Sequence, residues 1–366
     1  MRSSHGRISE VESRTDVEWR LAAGAHDLGG WRVRSVDLTG LTLTGCRVAG
    51  AMFLGCRFDD GVAVDLQARG ALVFPELPDS PLDVYRGGLY TARELYGTGR
   101  YHASVDARAY AWSQEADRHG PDALLAAALH DHAIDVALEE WTRGRRLVGV
   151  MGGHAVRRGE PSYAAAARLG RLLGVGHTVA TGGGPGAMEA ANLGATLAGH
   201  DPGVLAEALA VLADVPDFDC HIGAWAGLGF EVLEGLTGLT GLTDTLGIPT
   251  WHYGHEPPNV FATAIAKYVH NAVREAVLVE ICHAGIIFLP GAAGTVQEVF
   301  QDACENYYAD PASVAPMVLV GERHWTVTLP VWPLLRALAE GRGMAEHVHL
   351  VDHVEEAVAI VAGNTP

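Results

Sequence analysis

The 366-residue sequence predicts an α/β protein in which a doubly wound parallel sheet follows a small β-rich module and a helical connector. Three observations support this fold class. From residue 146 onwards, short apolar runs alternate with helical patterns. Glycine-rich turns follow three of these runs, at 152–153, 182–186 and 291–294. Between residues 31 and 58, in contrast, pairs of apolar residues recur every five positions.

The composition limits the class of protein. A hydrophobic fraction of 48% with 19% charged residues is typical of a folded chain. The net charge of −18 disfavours a nucleic-acid partner bound through a basic surface. The five cysteines are odd in number and form no CxxC pair, which favours a reducing compartment. Because there is neither a signal-peptide core nor an apolar run of about 20 residues, we predict a cytoplasmic protein without a membrane partner.

The N-terminal module follows residues 1–17, which are polar and are predicted to form a flexible tail. Its five-residue period resembles the pentapeptide repeat, in which four five-residue faces complete one turn of a square β-helix. The pattern predicts little more than one turn, which needs a neighbour to bury its face. A chance pattern in a β-hairpin is the alternative. We assign residues 18–103 to this module and an irregular connector that starts at 71. The glycines that mark the period are Gly40, Gly45, Gly50 and Gly55.

Residues 104–145 are predicted to form a helical connector, and residues 146–366 a nucleotide-binding domain. The domain's parallel strands require helices on both faces of the sheet. Ligands bind at the carboxyl ends of such strands, so the three glycine turns are predicted to converge on one crevice. Residues 200–245 show weak periodicity and receive no assignment. The predicted strands are 146–151, 177–181, 247–253, 285–289, 316–320 and an edge strand at 347–351; the predicted helices are 161–173, 187–198, 259–282, 295–307, 332–339 and 354–361.

Two of the glycine turns have the character of anion sites. The turn at 182–186 removes side chains where a helix begins, so that backbone N–H groups can approach a phosphate. A glycine turn alone is equally consistent with a steric requirement, but a second one at 290–295, with the Thr295 hydroxyl, favours a nucleotide. No Gly-Lys-Ser/Thr follows either turn, which disfavours kinase or ATPase chemistry, and the spacing also departs from the dinucleotide fingerprint.

Glu298 is predicted in the first turn of a helix that begins at Thr295. A carboxylate there is unusual in a site for phosphate alone, and it suggests chemistry on the sugar side of a nucleotide. The alternative is a favourable interaction with the helix dipole.

Residues 181–195 (TGGGPGAMEAANLGA) and 290–298 (PGAAGTVQE) together resemble the paired signatures GGGxxGxM and PGGxGTxxE of the LOG (Lonely Guy) family. The similarity extends from residue 146 to the C-terminus. The resemblance implies a Rossmann-like fold and a homodimer or higher homo-oligomer. It also implies hydrolysis of a nucleoside 5′-monophosphate, such as AMP or a cytokinin riboside monophosphate, to free base and ribose 5-phosphate. It implies no cofactor and no metal.

The resemblance assigns the catalytic carboxylate to Glu298 and an orienting cation to Arg274. Fixed carboxylates of this kind stabilise oxocarbenium-like charge and activate water. The predicted phosphate- and ribose-binding residues are Gly183, Gly184, Gly186, Gly291, Ala292, Ala293, Gly294 and Thr295. Further candidates for the pocket are Gly153, His154, Met188, Glu189, Asn192 and Asp302, although Asp302 is expected to be solvated.

Three departures separate the chain from the family pattern. Ala292 replaces the second glycine of PGG, Glu275 follows Arg274 where lysine is usual, and the spacing from Arg274 to Pro290 is about one residue longer. A non-catalytic nucleotide or pterin-cofactor carrier on the same fold is therefore the alternative function, and a partner-docking role for the N-terminal module is a third hypothesis. His252, His255 and Glu256 do not predict a metal site, because the adjacent glycine and prolines are incompatible with the helix of HExxH enzymes.

Overall fold

The computed structural model describes residues 9–77, 80–97, 99–115, 120–219, 221–252 and 256–363. The chain divides into one unit of Met1–Gly87 with Ala116–Ala133 and another of Gly88–Glu115 with Ile134–Pro366. Parallel sheets of four and seven strands confirm the predicted α/β class. The roles and boundaries assigned to the predicted domains stay predictions. Cys220, His255 and residues 1–8 of the predicted tail lie outside the described residues. The rest of that tail is not irregular, since it contains a strand at Ser9–Val11 and the start of a helix at Arg14–Ala22.

The first unit contains a parallel coil. Its strands pair in chain order, with Arg32 opposite Met52 and Met52 opposite Leu72, so each of these two turns takes 20 residues, or four five-residue steps. Every fifth side chain points into the core: Leu28, Val33, Leu38, Leu43, Val48 and Phe53 are buried. The strands are β1 (Ser9–Val11), β2 (Trp31–Arg34), β3 (Met52–Leu54) and β4 (Leu72–Phe74), and the helices are α1 (Arg14–Ala22) and α2 (Val62–Ala68).

The five-residue repeat predicts little more than one turn of coil, and the coil in the structure is longer. β1 and β4 extend it at its two ends through parallel backbone pairing. α1 lies between β1 and β2, and α2 between β3 and β4, so a helix interrupts the five-residue pattern before it reaches either end strand. β4 also lies in a stretch that we predicted to be irregular.

The second unit contains the seven-stranded sheet, in the order β11-β10-β9-β5-β6-β7-β8. Within the described residues, no helix combines the length and the apolar character needed to cross a membrane. The strands are β5 (Leu147–Met151), β6 (Thr178–Thr181), β7 (Leu246–Gly247), β8 (Ala264–Ile265), β9 (Ile286–Phe288), β10 (Met317–Val320) and β11 (Val348–Val351). The helices are α3 (Ala92–Tyr96), α4 (Val105–Glu115), α5 (Pro121–Thr142, which begins in the first unit), α6 (Pro161–Leu173), α7 (Ala187–Thr196), α8 (Pro202–Leu212), α9 (Ile222–Gly235), α10 (Asn271–Glu280), α11 (Ala293–Tyr308), α12 (Val331–Ala339) and α13 (Val354–Gly363).

The sheet is doubly wound, since the strand order reverses between β5 and β9. From β5 the chain builds β6, β7 and β8 towards one edge, and from β9 it builds β10 and β11 towards the other. Right-handed crossovers place α6 and α7 on one face of the sheet and α11 and α12 on the other, and α13 packs against α6. α6 packs closely on α7 because Gly194 has no side chain. A Cβ at Gly194 would lie 1.8 Å from the Ala167 carbonyl oxygen. The carboxyl ends of β5 and β9 therefore form the crevice where such folds bind ligands.

The segment 259–282 is not one helix, as its pattern predicted. Asn259 Oδ1 accepts the N–H groups of Phe261 (3.1 Å) and Ala262 (3.0 Å), as at the start of a helix, but the N–H of Ala264 donates to the Thr245 carbonyl (3.1 Å) instead of continuing one. The chain then forms β8, and α10 begins only at Asn271. The strand predicted at 247–253 is also shorter in the structure, because β7 ends at Gly247. Residues 200–245, which received no assignment, contain α8 and α9.

Candidate functional site

A cavity of about 520 Å³ lies at the carboxyl ends of β5, β6 and β9. The three glycine turns meet in its wall, as the alternation of strands and helices predicted. Each turn contributes glycines: Gly152 and Gly153, Gly182 and Gly184, and Gly291 and Gly294. Of the predicted site residues, the wall also contains His154, Met188, Arg274, Ala292, Ala293, Thr295 and Glu298.

One end of the cavity is the N-terminus of α11. The N–H of Val296 donates to the Ala292 carbonyl at 3.0 Å, so residues 293–295 form the first turn, whose N–H groups have no acceptor within the helix. All three residues line the cavity. Free N–H groups and the positive end of the helix dipole together suit a phosphate or another anion.

The turn before α11 requires glycine at one position and tolerates alanine at the next. A Cβ at Gly291 would lie 2.1 Å from Thr295 Oγ1, so only glycine fits there. Ala292 has a φ of −115°, on the side of conformational space that L residues use. The methyl group that replaces the family's second glycine therefore imposes no left-handed backbone strain.

A buried amide network holds the opposite turn, at 182–186. Thr181 Oγ1 accepts the N–H of Gly183 (3.0 Å) and donates to Asn192 Oδ1 (2.8 Å). Asn259 Nδ2 donates to the Gly184 carbonyl and to Asn192 Oδ1, each at 3.1 Å. Asn192, a predicted pocket residue, thus lies behind the wall and positions the turn. Gly183 also lies behind the wall, and its φ of 72° favours glycine.

Gly186 is the last glycine of that turn. Its φ is 70°, and a Cβ there would lie 2.5 Å from the Gly153 carbonyl oxygen. Gly186 therefore allows the second glycine turn to approach the first, and it borders the neighbouring cavity around Arg158 instead of the main one.

Arg274 joins the strand ends to α11. Its Nε donates to the Ile248 carbonyl at 2.7 Å, and its Nη2 lies 3.4 Å from the Gly182 carbonyl. Its Nη1 lies 2.9 Å from Glu275 Oε1 and 3.4 Å from Glu298 Oε1. One guanidinium therefore serves two carboxylates, and all three side chains are buried.

Burial raises the pKa of Glu298 to about 7. The Arg274 guanidinium opposes this rise, whereas the charges of Glu275 and Glu256 add to it. A carboxyl group with such a pKa is divided between its acid and base forms near neutral pH, as general acid–base catalysis requires. Glu298 is in the second turn of α11, because the helix begins at Ala293 and not at Thr295 as predicted. A first-turn interaction with the dipole therefore does not explain it.

Two predicted pocket residues lie away from the cavity. Glu189 is fully buried in an ion pair with Arg158, and it accepts a hydrogen bond from Tyr163 Oη at 2.7 Å. Asp302 is also buried, so its predicted solvated position is wrong. Asn306 Nδ2 donates to Asp302 Oδ1 at 3.1 Å, and burial raises the pKa of this carboxyl well above its usual range.

Glu275, Glu256 and His324 are among the residues of the wall that were not predicted as site residues. Glu275 was recognised only as a departure from the family pattern. Glu256, considered only for a metal, has its Oε1 3.2 Å from Nδ1 of His154. His324 follows β10, and its Nε2 lies 3.0 Å from the Gly291 carbonyl oxygen. The strand-end rule applied to β10 would have indicated His324. Among the described residues, histidine, cysteine and acidic side chains form no cluster of three that could hold a metal ion.

Comparisons with known proteins give similarity to solved structures alone. No protein-family model matches the chain. No curated protein matches it either. Similar structures include the molybdenum cofactor binding protein of the phototrophic bacterium Rippkaea orientalis, at 17% identity over 60% of this chain and 98% of that one, with a TM-score of 0.39. The Moco carrier protein of Chlamydomonas reinhardtii shares 18% identity over 60% and 96% of the two chains, with a TM-score of 0.37. TM1055 shares 19% over 60% and 99%, with a TM-score of 0.40.

Proposed function

We propose that the protein hydrolyses the N-glycosidic bond of a nucleoside 5′-monophosphate, of the AMP or cytokinin riboside monophosphate type, to free base and ribose 5-phosphate. The observation that carries this proposal is the combination of a helix N-terminus suited to phosphate with a buried carboxyl group, Glu298, whose pKa is about 7, in one cavity. The phosphate binds at the N–H groups of residues 293–295, and the ribose lies towards Glu298.

The proposed reaction requires only water and the side chains of the cavity. As the bond between C1′ and the base nitrogen breaks, positive charge develops on the ribose, and the Glu298 carboxylate stabilises it. Glu298 takes a proton from the water that forms the new C1′–O bond, and returns a proton to the departing base. Arg274 is held by the Ile248 carbonyl and orients Glu298 during both transfers.

The test is to incubate the protein with AMP and other purine and pyrimidine monophosphates, and to measure free base and ribose 5-phosphate by chromatography. Glu298→Gln preserves the shape of the side chain but cannot transfer the proton, so we expect its turnover to fall about 100-fold or more. Asp302→Asn is the matched control, because this buried acid lies on the same helix outside the cavity wall. Equal base release by wild type and Glu298→Gln would contradict the catalytic role.

A second candidate is a carrier that binds a nucleotide or a pterin cofactor without turnover. It is favoured by one observation: Arg274 Nη1 is nearer to Glu275 than to Glu298, at 2.9 Å against 3.4 Å, so Glu275 competes for the cation that orients the proposed catalytic group. Calorimetric binding of a monophosphate or a pterin, without base release over hours, would favour the carrier.

We further infer a homodimer or higher homo-oligomer located in the cytoplasm, with a nucleoside monophosphate as ligand. The family resemblance supports the oligomer, and the cysteine usage supports the location. Light scattering on the purified protein measures the mass directly, and a monomeric mass at micromolar concentration would contradict the assembly.

A further inference from the structure

The carboxylate of Glu275 is only half satisfied within the protein. The residue is 4% exposed on α10 and lines the cavity. Its Oε1 lies 2.9 Å from Arg274 Nη1, whereas its buried Oε2 has no hydrogen-bond partner among the described residues. A buried carboxylate oxygen without a donor is costly. A group that supplies the missing donor would therefore bind favourably.

The wall of the cavity offers few donors to this oxygen. Arg274 is the one arginine or lysine in the described wall, and it already contacts the Ile248 and Gly182 carbonyls as well as two carboxylates. The floor around Glu275 and Glu298 is consequently rich in acceptors. The N-terminus of α11, at the other end of the cavity, is rich in donors.

We propose that Glu275 is a specificity-determining residue whose unpaired oxygen accepts a hydrogen bond from the non-phosphate part of the ligand. This inference rests on the proposed function, since it places the phosphate of the same ligand at α11. Rotation about the terminal torsion of glutamate has broad minima, so the carboxylate can turn towards a ligand. The donor is a ribose hydroxyl or an amino group of the base, and both present the same N–H or O–H chemistry.

The experiment measures equilibrium binding by calorimetry in the Glu298→Gln background, in which turnover is suppressed. The ligands are AMP, 2′-deoxy-AMP, 3′-deoxy-AMP, purine riboside 5′-monophosphate, which lacks the amino group, and ribose 5-phosphate. Each is titrated into the background protein and into the same protein with Glu275→Ala added. Asp302→Asn in that background is the control, because Asp302 also has a buried unpaired oxygen but lies outside the wall. Thermal melting verifies that every variant is folded.

We expect Glu275→Ala to weaken AMP binding about tenfold or more, because it removes the acceptor that pairs with a buried ligand donor. We also expect one analogue, the one that lacks the recognised donor, to bind the background protein about tenfold or more weakly than AMP does. Adding Glu275→Ala should not weaken the binding of that analogue further. If that analogue lacks a hydroxyl, the ribose is recognised, and if it lacks the amino group, the base is recognised. Asp302→Asn should bind every ligand like its background.

Three results would overturn the inference, and they are distinguishable. If Glu275→Ala weakens all five ligands equally, Glu275 supports the site without reading the ligand, while the proposed function stands. If wild-type protein binds none of the monophosphates, the proposed function fails and the inference fails with it. Unchanged binding by a folded Glu275→Ala variant also contradicts the inference alone.

Discussion

At the scale of single residues, Glu298 combines burial with a contact to a cation. Burial raises its pKa to about 7 even though Arg274 Nη1 lies 3.4 Å away. The motif at residues 290–298 was sufficient to identify Glu298 as the candidate catalytic residue from the sequence. Its burial was not predictable, because that depends on how α10 packs on α11.

The raised pKa predicts the pH dependence of the proposed hydrolysis. Because the carboxylate form accepts the proton from water, kcat/KM, which reports the pKa of the free enzyme, should rise with pH through a midpoint near 7 and then level off. Initial rates on AMP between pH 5 and 9 measure this profile. A rate that stays level between pH 5 and 9 would contradict a base with a pKa near 7.

Gly291 provides a second residue-scale prediction. In Gly291→Ala the new methyl would lie 2.1 Å from Thr295 Oγ1 and must displace it, so stability should fall by about 1–3 kcal/mol. Gly294→Ala in the same turn is the matched control, since a Cβ there has nothing within 4 Å. Urea denaturation measures both. Equal stabilities for the two variants would disprove the tight contact.

At the scale of elements, the hydrophobic pattern predicts a helix best where a single residue also marks the position at which the helix begins. The span of α6 is as predicted, because Pro161 suits the first turn and the apolar stripe is continuous. The segment from Asn259 was not predictable in the same way. Its helical pattern is overridden by pairing of β8 with β7. Such tertiary contacts leave little trace in periodicity.

The candidate site was likewise predictable in part. The three glycine turns were predictable because they follow apolar strands, and strand ends converge in a parallel sheet. The contribution of Glu275 depends on how α10 packs on α11, and that of His324 on its contact with the Gly291 carbonyl, 33 residues away in the chain. A single sequence contains no signal for contacts between residues so far apart in the chain.

The five-residue period of the coil leads to a prediction for its core. In the coil formed by β1 to β4, Leu38 is 2% exposed and Leu72 is 55% exposed. Leu38→Ala should lower the free energy of unfolding of the coil by about 2–5 kcal/mol, because it leaves a cavity. Leu72→Ala should change it little. Guanidinium denaturation followed by circular dichroism compares them, and equal losses would contradict the inward orientation of every fifth residue.

At the scale of the whole molecule, Glu298 links stability to pH. Its pKa is about 7 in the folded chain and near 4.5 when unfolded. The folded state is therefore favoured most at low pH, and this contribution is lost as pH rises from 4.5 through 7. Glu275, Glu256 and Arg274 are the charged groups that act on Glu298 in this range. The candidate catalytic group thus reduces stability at the pH where it is ionised.

Glu298→Gln should accordingly raise the melting temperature at pH 8 and leave it nearly unchanged at pH 5. The glutamine has no charge to desolvate, and the gain at pH 8 is about 2–3 kcal/mol at most. Differential scanning calorimetry at both pH values measures the difference. A gain of equal size at pH 5 and pH 8 would mean that better packing, and not ionisation, is responsible.

The 20-residue turn of the coil restricts how this part of the chain can change in length. An insertion of 20 residues adds one complete turn and returns every following side chain to its original face. An insertion of five residues moves every later face by a quarter of the circumference, so that the segment after the coil leaves in a different direction. Length variants that keep the exit direction of the chain should therefore differ by whole multiples of 20 residues.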